Sequence, residues 1–570
     1  MRKGLGKTAL ALLLVAGPLG LRLGVAHAQD APLFDPPRPF DGVPIPANSP
    51  VLRIVPLKQI NAEDDGERQL DVGGGPDSRP ANLPPRFTDE TTTPTTTGMT
   101  TGTAYFAQFV DHDLTLTRIV MDEHLLFPFV FAYGLVDGSF QNRRTPGFDL
   151  DPLYRISPFE YPSSPGTLGP WDASNLRFRR LRGDNNALDF FRGPVGQAII
   201  GDGRNDENGV IAHIHRMFMK LHNVHVDRVI ERDGIDEAAL ELGDEQWSAV
   251  FQEARNYTTA YYQGIICNQL ALQLVGRTLF DALDDAVHPL GPLEAPHATL
   301  EFGACGFRLH TLIPVDVQVG ASTFVSPIAD RLRDRVSWTY LFGPTAHPAG
   351  RLDLAVAAPL RDIVRLFIPG NPIEITLDLA QVNLLRGRET TLPSGEEYLA
   401  FLLAELGLEP RTTTTIRSKQ VLTPANAAAI LDPVDDADLL ADLDRGDTDL
   451  WAYILVEAEL NNGVLGPVGQ DIIERTFAGL LIGDDWSLLG GLNDAFTPKQ
   501  MAFFRSATFE RLLDEALPPA DVNRDNFVDV LDLIVLLLDL GLRDSPADID
   551  GNGVVDGGDL LLLLEAFGTF

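Results

Sequence analysis

The chain has 570 residues, 44% of them hydrophobic, and a formal net charge of −35. A chain of that length can bury a substantial core, and that charge disfavours nucleic acid and anionic membrane surfaces while suiting calcium and cationic partners. Only Cys267 and Cys305 are present, which excludes a disulfide framework and leaves room for one bridge.

The opening MRKGLGKTALALLLVAGPLGLRLGVAHA joins a basic start, an apolar run and small residues at Ala26 and Ala28, the pattern of a secretory signal peptide over residues 1–28. Its removal takes away Arg2, Lys3, Lys7 and Arg22 and moves the charge from −35 to −39. Pro18 and Arg22 break the apolar run, and no later stretch has spanning length, so the expectation is a secreted or cell-surface protein without a membrane span. Residues 29–103 read as an extended N-terminal arm, rich in Pro, Gly and Asp, that ends in a threonine-rich loop.

The segment AYFAQFVDHDLTLT, residues 104–117, sets Gln108, Asp111, His112 and Asp113 into an otherwise apolar helix. Imidazole can take and return a proton near neutral pH, although a buried histidine between two acids suits a structural or metal-binding role as well. In RTPGFDLDPLY, Thr145, the Gly147 carbonyl, Asp149 and Asp151 alternate, so a looping backbone can aim four oxygens at one cation. GDGRNDENGVIAHIH then places Arg204 three residues before Glu207. The next helix is predicted over 211–230, where Ile214, Met217, Phe218, Leu221 and Val224 recur at helical spacing. His213, His215, His222 and His225 lie on it without an HExxH pattern and read as packing groups. Further helices are expected over 244–275, 379–385, 396–406 and 468–481; strand alternation is scarce, so the body is mainly α. EFGACGFRLHTLIP carries His310, and DLAQVNLLRGRETTLPSGEEY carries Asn383 and Arg386.

After Leu517, Pro518, Pro519 and Ala520 read as a hinge into a repeat of offset 27, DVNRDNFVDVLD and DIDGNGVVDGGD. Twelve-residue calcium loops supply oxygen from positions 1, 3, 5, 7, 9 and 12. Those positions hold Asp521, Asn523, Asp525, the Phe527 carbonyl, Asp529 and Asp532, then Asp548, Asp550, Asn552, the Val554 carbonyl, Asp556 and Asp559. The leucine-rich run after each loop calls for burial, which argues against a solvated acidic tail.

Over residues 104–486 these motifs, in this order, resemble those of the animal haem peroxidases, beginning with their QFxDHD signature. The resemblance implies a mainly α haem peroxidase domain over residues 104–515 that binds haem b. It assigns His112 as distal acid and base, Gln108 beside the peroxide, and Arg204 to the charge on the departing oxygen. His310 becomes the axial iron ligand, with Asn383 accepting its hydrogen bond and Arg386 pairing with a propionate. Asp111 and Glu207 become ester partners of the haem, and Asp113 joins Thr145, Gly147, Asp149 and Asp151 around calcium. His215 and His222 fall where the family has packing histidines. The implied activity is reduction of hydrogen peroxide through compound I with oxidation of a small donor such as a halide, thiocyanate or phenol. Asn208 replaces the methionine that some members link to haem as a sulfonium, which disfavours chloride chemistry. Leu309 stands where many members have glycine, and Leu385, Glu389 and Thr390 also depart from the pattern. A haem-dependent fatty-acid dioxygenase is the alternative, disfavoured because Phe307 replaces the radical-forming tyrosine. A non-catalytic, calcium-dependent surface or adhesion protein is the other. Residues 518–570, with Asp at loop position 12 and one helix per loop, resemble dockerin modules, which implies a cohesin-like partner.

Overall fold

The computed structural model describes residues 98–569 apart from 116–143, 163–168, 183–187, 286–297, 329–335, 362–378, 381–382, 385–386, 388–391 and the single positions 146, 180, 195, 197, 207 and 544. The expected signal peptide, nearly all of the arm, Glu207 and Arg386 lie outside the described residues.

Helix α1 spans Thr101–Leu114 and is buried at every position except the half-buried Gln108. The Thr100 hydroxyl accepts from the Thr103 N–H at 3.2 Å, and the helix takes in the last three residues of the expected arm. Helix α2, Gly209–Asp233, is capped by Asn208, whose side chain accepts from Val210 N–H and Ile211 N–H. It stops at Gly234, whose φ of 61° is the left-handed conformation that glycine adopts without penalty. Helix α3, Glu245–Ile265, is capped by Asp244. The single helix expected over 244–275 is interrupted by a π turn, Ile266–Leu270, before α4, Ala271–Val275. A π turn uses the same apolar residues as the α-helix around it, so periodicity does not reveal it.

Aromatic rings tie α1, α2 and α3 together. Phe109 stacks on Phe218 at 5.4 Å, and Tyr262 meets both edge-on at 6.0 and 5.5 Å. A second group of helices packs together, α5, Gly395–Glu405, α6, Leu450–Leu460, and α7, Pro467–Ile482. Helix α7 is buried from Pro467 to Leu481, and the Glu457 carboxylate caps its start by accepting from the Val468 N–H at 2.9 Å. Strand structure among the described residues is confined to three two-residue antiparallel hairpins, as a mainly α reading requires. Cys267 and Cys305 are both buried and unbridged. Among the described residues, no helix is long and apolar enough to cross a membrane.

Helix α8, Phe509–Ala516, packs on α2, and beyond it come loop 521–532, α9 (Val530–Leu538), loop 548–559 and α10 (Gly557–Glu565). This tail has its own small core of Val522, Val528, Leu536, Val555 and Leu563. The segment 518–520 is not a free hinge, because Ala520 and Asp521 are buried and the first loop is bonded to the body. Trp338 N–H donates to Arg524 O at 2.9 Å and Ser337 Oγ to Asn523 O at 2.9 Å. The leucine runs are only half buried: Leu536 and Leu563 face inward, while Leu531, Ile534, Leu537, Leu561 and Leu564 are exposed. Two short helices leaning on each other cover one face of each and leave the other outside.

Candidate active site

His112 lies near the C-terminal end of α1, buried, with Gln108 one turn before it on the same face. Its Nδ1 is 2.6 Å from Oδ1 of Asn205, which belongs to a 3-10 turn over Gly203–Asp206 just ahead of α2. Burial and the nearby Arg204 charge push the imidazole down to about 4, so it is neutral at physiological pH. Arg204, beside Asn205, donates to the backbone carbonyls of His112 at 3.2 Å and Thr115 at 2.6 Å. It also donates to Asp202, which is paired with Arg144 as well. Burial alone would raise the Asp202 carboxyl, but the two guanidiniums override it and hold the group well below the usual range. In the structure Arg204 thus fastens the turn onto the end of α1.

Asp111 accepts from Thr115 Oγ1 at 2.8 Å and from Arg308 at 2.8 Å. Its burial would raise the carboxyl, but Arg308 and Arg204 outweigh that and keep it below the ordinary value. Arg308 stands two residues before His310, so this ion pair brings the two histidine-bearing segments side by side across 197 positions of chain. His310 opens a 3-10 turn, His310–Leu312, after a π turn over Phe302–Gly306. The Arg308 carbonyl accepts from Trp451 Nε1 on α6 at 2.9 Å, and a Cβ on Gly306 would lie 2.5 Å from Ile472 Cγ2 on α7. Phe307 stacks on Phe302 at 4.8 Å and packs against Phe477. Asn383 sets its Nδ2 2.9 Å from His310 Nδ1, while its Oδ1 is buried without a partner. Rotating that carboxamide lets Oδ1 accept the Nδ1 proton and leaves Nε2 with the lone pair an iron ligand needs, with Nδ2 then turned into the slot that Oδ1 occupied. An asparagine-held imidazole of this kind fits the proximal side of a haem.

The loop that follows Arg144 fits a divalent cation. Asp113 accepts from the Asp151 N–H at 2.7 Å, and Thr145 Oγ1 donates to Asp149 at 2.6 Å. Burial and the crowding of Asp149 and Asp151 raise Asp113 well above the carboxylate range; the same causes push Asp149 up to about 7. Oδ1 of Asp149 and Oδ1 of Asp151 are buried without hydrogen-bond partners. Like charges packed together with unsatisfied oxygens are what a bound calcium would relieve. Gly147 leaves room for a further carboxylate, since a Cβ there would meet Asp484 Oδ2 at 2.7 Å.

The C-terminal loops repeat one geometry. In the first, Asp521 accepts from the N–H groups of Asp525 and Asn526 at 2.9 Å each, and Asp532 accepts from Asn523 and Asp529 at 3.0 and 2.8 Å. The second does the same with Asp548 and Asp559, bonded to Asn552, Gly553, Asp550 and Asp556. Asp525 accepts from Phe527 N–H, while Asp529 and Asp556 cap α9 and α10. Asn552 accepts from the Val554 N–H at 3.0 Å. Ligand atoms of Asp548, Asp550 and Asp559 lie within 4.8 Å of one another, the only such His, Cys, Asp or Glu group found among the described residues.

The histidines of α2 do not converge on a metal. His222 bonds the Tyr154 hydroxyl at 3.1 Å and the Leu176 carbonyl at 2.9 Å, His213 packs against Trp338, and His225 stacks on Tyr257 at 4.0 Å. An open groove of about 770 Å³ borders His225, and its lining includes neither His112 nor His310. Asn205, Asp202, Arg308, Trp451 and Asp484 were missed from sequence, because each makes its contact with a residue far away in the chain.

A buried helical body with two asparagine-held imidazoles defines the class, and comparison gives it a family. The family described as Animal haem peroxidase matches residues 180–527, and the chain belongs to it. That span includes Arg204, His310 and Asn383 and begins after residues 108–151. Human thyroid peroxidase is 28% identical over 311 residues, covering 51% of this chain and 30% of that protein. A Caenorhabditis elegans peroxidasin homolog, pxn-1, is 30% identical over 365 residues, covering 60% of this chain and 25% of that protein. The chain thus matches less than a third of the length of these relatives. Among solved structures, a fatty acid alpha-dioxygenase from Oryza sativa has a TM-score of 0.54 at 15% identity, covering 77% of this chain and 78% of that one. At that identity the likeness concerns the fold.

Proposed function

We propose that this chain is a secreted haem peroxidase that reduces hydrogen peroxide and oxidises a small donor, a halide, thiocyanate or phenol. The observation that carries the reading is the pair of imidazoles, each with Nδ1 on an asparagine, in segments joined by the Asp111–Arg308 ion pair. Haem b bound between them would supply the redox chemistry of peroxide reduction to water. His310 would hold the iron through Nε2, with Asn383 keeping the imidazole oriented and basic. His112 Nε2 would take the proton from one peroxide oxygen and return it to the other, which leaves as water. Gln108 and Arg204 would border that exchange, Asp111 and Glu207 would be the ester partners, and Arg386 would meet a propionate. Asp113, Thr145, Gly147, Asp149, Asp151 and the C-terminal loops would bind calcium. The tail would serve as a dockerin-like attachment to a cohesin-like partner, and the N-terminal leader supports export. Phe307 weighs against tyrosyl-driven oxygenation of fatty acids, since a phenyl ring has no phenolic hydrogen to give up.

The test is the absorption spectrum of the haem-loaded protein before and after peroxide. The unaltered chain should show a Soret band that peroxide shifts. His310→Ala should lose most of the band, whereas His112→Ala should keep it and react about 10²- to 10⁴-fold more slowly. A purified chain that takes up no haem, or equal peroxide turnover in His112→Ala, overturns the reading.

A further inference from the structure

Asn205 is fully buried and bonded at both ends of its side chain. Oδ1 lies 2.6 Å from His112 Nδ1, and Nδ2 lies 3.0 Å from His215 Nδ1. A carboxamide has one accepting end and one donating end. With a δ nitrogen at each, one imidazole must carry its proton on Nδ1 and the other must not.

We propose that Asn205 is a positioning residue that fixes the tautomer of His112, holding its proton on Nδ1 so that Nε2 stays a bare base, with His215 locked in the opposite tautomer. This rests on the peroxidase reading for its purpose, though not for its geometry. Were the carboxamide reversed, His112 would carry its proton on Nε2 and could only donate, which is the wrong starting state for taking a proton from peroxide. The amide is neither acid nor base at neutral pH. When Nε2 gains a proton, the Nδ1 hydrogen bond persists, and nothing passes on to His215.

The surroundings keep the clamp rigid. Asn205 N–H donates to Asp202 O at 3.1 Å, and the neighbouring Arg204 holds the His112 carbonyl. Consecutive residues of one turn thus grip the ring and the backbone of the same histidine. His215 is held in turn by edge-on contacts with Phe109 at 5.9 Å and Phe190 at 5.0 Å. With the carboxamide in this orientation, His215 Nδ1 is the acceptor of the Nδ2 hydrogen, a role beyond packing.

The test reads ring nitrogens directly. In the full-length chain labelled with ¹⁵N-histidine, signals are assigned through His112→Gln and His215→Phe. His112 should show a protonated Nδ1 and a bare Nε2, and His215 a bare Nδ1. Asn205→Ala should mix the tautomers of His112, whereas Asn205→Asp, which accepts at both oxygens, should leave His112 unchanged and move the His215 proton to Nδ1. In haem-loaded protein, Asn205→Ala should slow the reaction with peroxide about 10- to 100-fold at unchanged Soret position, with Asn205→Asp closer to the parent. A His112 that carries its proton on Nε2, or whose tautomer Asn205→Ala leaves alone, overturns the inference. If the ring signals behave as stated while the loaded chain ignores peroxide, the clamp stands and the peroxidase reading falls.

Discussion

The two imidazoles are held alike at Nδ1 and mounted differently. His112 stands on a fourteen-residue helix whose body is buried among Phe109, Phe218 and Tyr262, with a crowded acidic loop at its next residue. His310 sits on a short turn that depends on neighbours: Trp451 at the Arg308 carbonyl, Ile472 against Gly306, and Asn383 at the ring. The difference teaches that the first site answers to charge and the second to packing. Disturbances of either kind should therefore fall more heavily on one histidine than on the other.

The largest expected effect comes from removing calcium. Asp149, with an unfolded value near 3.9, is pushed up to about 7 by burial and by Asp151 when no cation is present. A raised carboxyl contributes stability that is complete below its unfolded value and lost as pH rises through its folded one. The chelated protein should accordingly lose stability between about pH 4 and pH 7, at a rate of up to about 1.4 kcal/mol per pH unit for one such group. Calcium should restore most at the upper end. Thermal unfolding at pH 5 and pH 7.5, with and without chelator, measures this. The same melting temperature with and without chelator at pH 7.5 would remove calcium from the argument. In haem-loaded protein the chelator should slow the peroxide reaction and leave the axial-ligand bands in place.

What the sequence alone reveals follows the same division. His112, Asp113 and the 144–151 loop stand close together in sequence, so their oxygens and imidazole show as a pattern. The family resemblance also singled out His310 and Asn383 and the contact between them, which spacing alone, with 73 positions separating the two, does not reveal. Asn205 was hidden because its partner at His112 is 93 residues away and asparagine within RNDEN carries no periodic signal. The π turn before His310 was hidden because its apolar residues also fit an ordinary helix. The leucine runs of the tail misled for the opposite reason: composition demanded burial, and only the packed face of each helix obtained it.

On the proximal side, packing should dominate. Gly306→Ala would set a methyl 2.5 Å from Ile472 Cγ2, an overlap that forces α7 or the π turn to shift. Such overpacking costs typically 1–3 kcal/mol. The variant should bind haem more weakly with an altered axial-ligand spectrum, while its calcium affinity matches the parent. Pairing it with Ile472→Val, which trims the side chain, should recover part of the loss. A calcium affinity that falls alongside haem binding would mean the two sites are one mechanical unit, contrary to the division drawn above.

The smallest effect tests whether the Trp451 hydrogen bond, rather than the indole's bulk, steadies the proximal turn. Trp451→Phe keeps an aromatic ring in the buried slot on α6 and removes the Nε1 donor to the Arg308 carbonyl. A lost neutral hydrogen bond costs about 1 kcal/mol, with a further transfer and cavity cost for the smaller ring. Because that carbonyl belongs to the residue whose guanidinium holds Asp111, loosening it should reach both segments slightly. Haem dissociation should quicken a few-fold, and the peroxide reaction of the loaded protein should change by less than that. If the peroxide reaction suffered more than haem retention, the tryptophan would be acting through Arg308 on Asp111 and His112, and the ion pair between the segments would transmit geometry as well as charge.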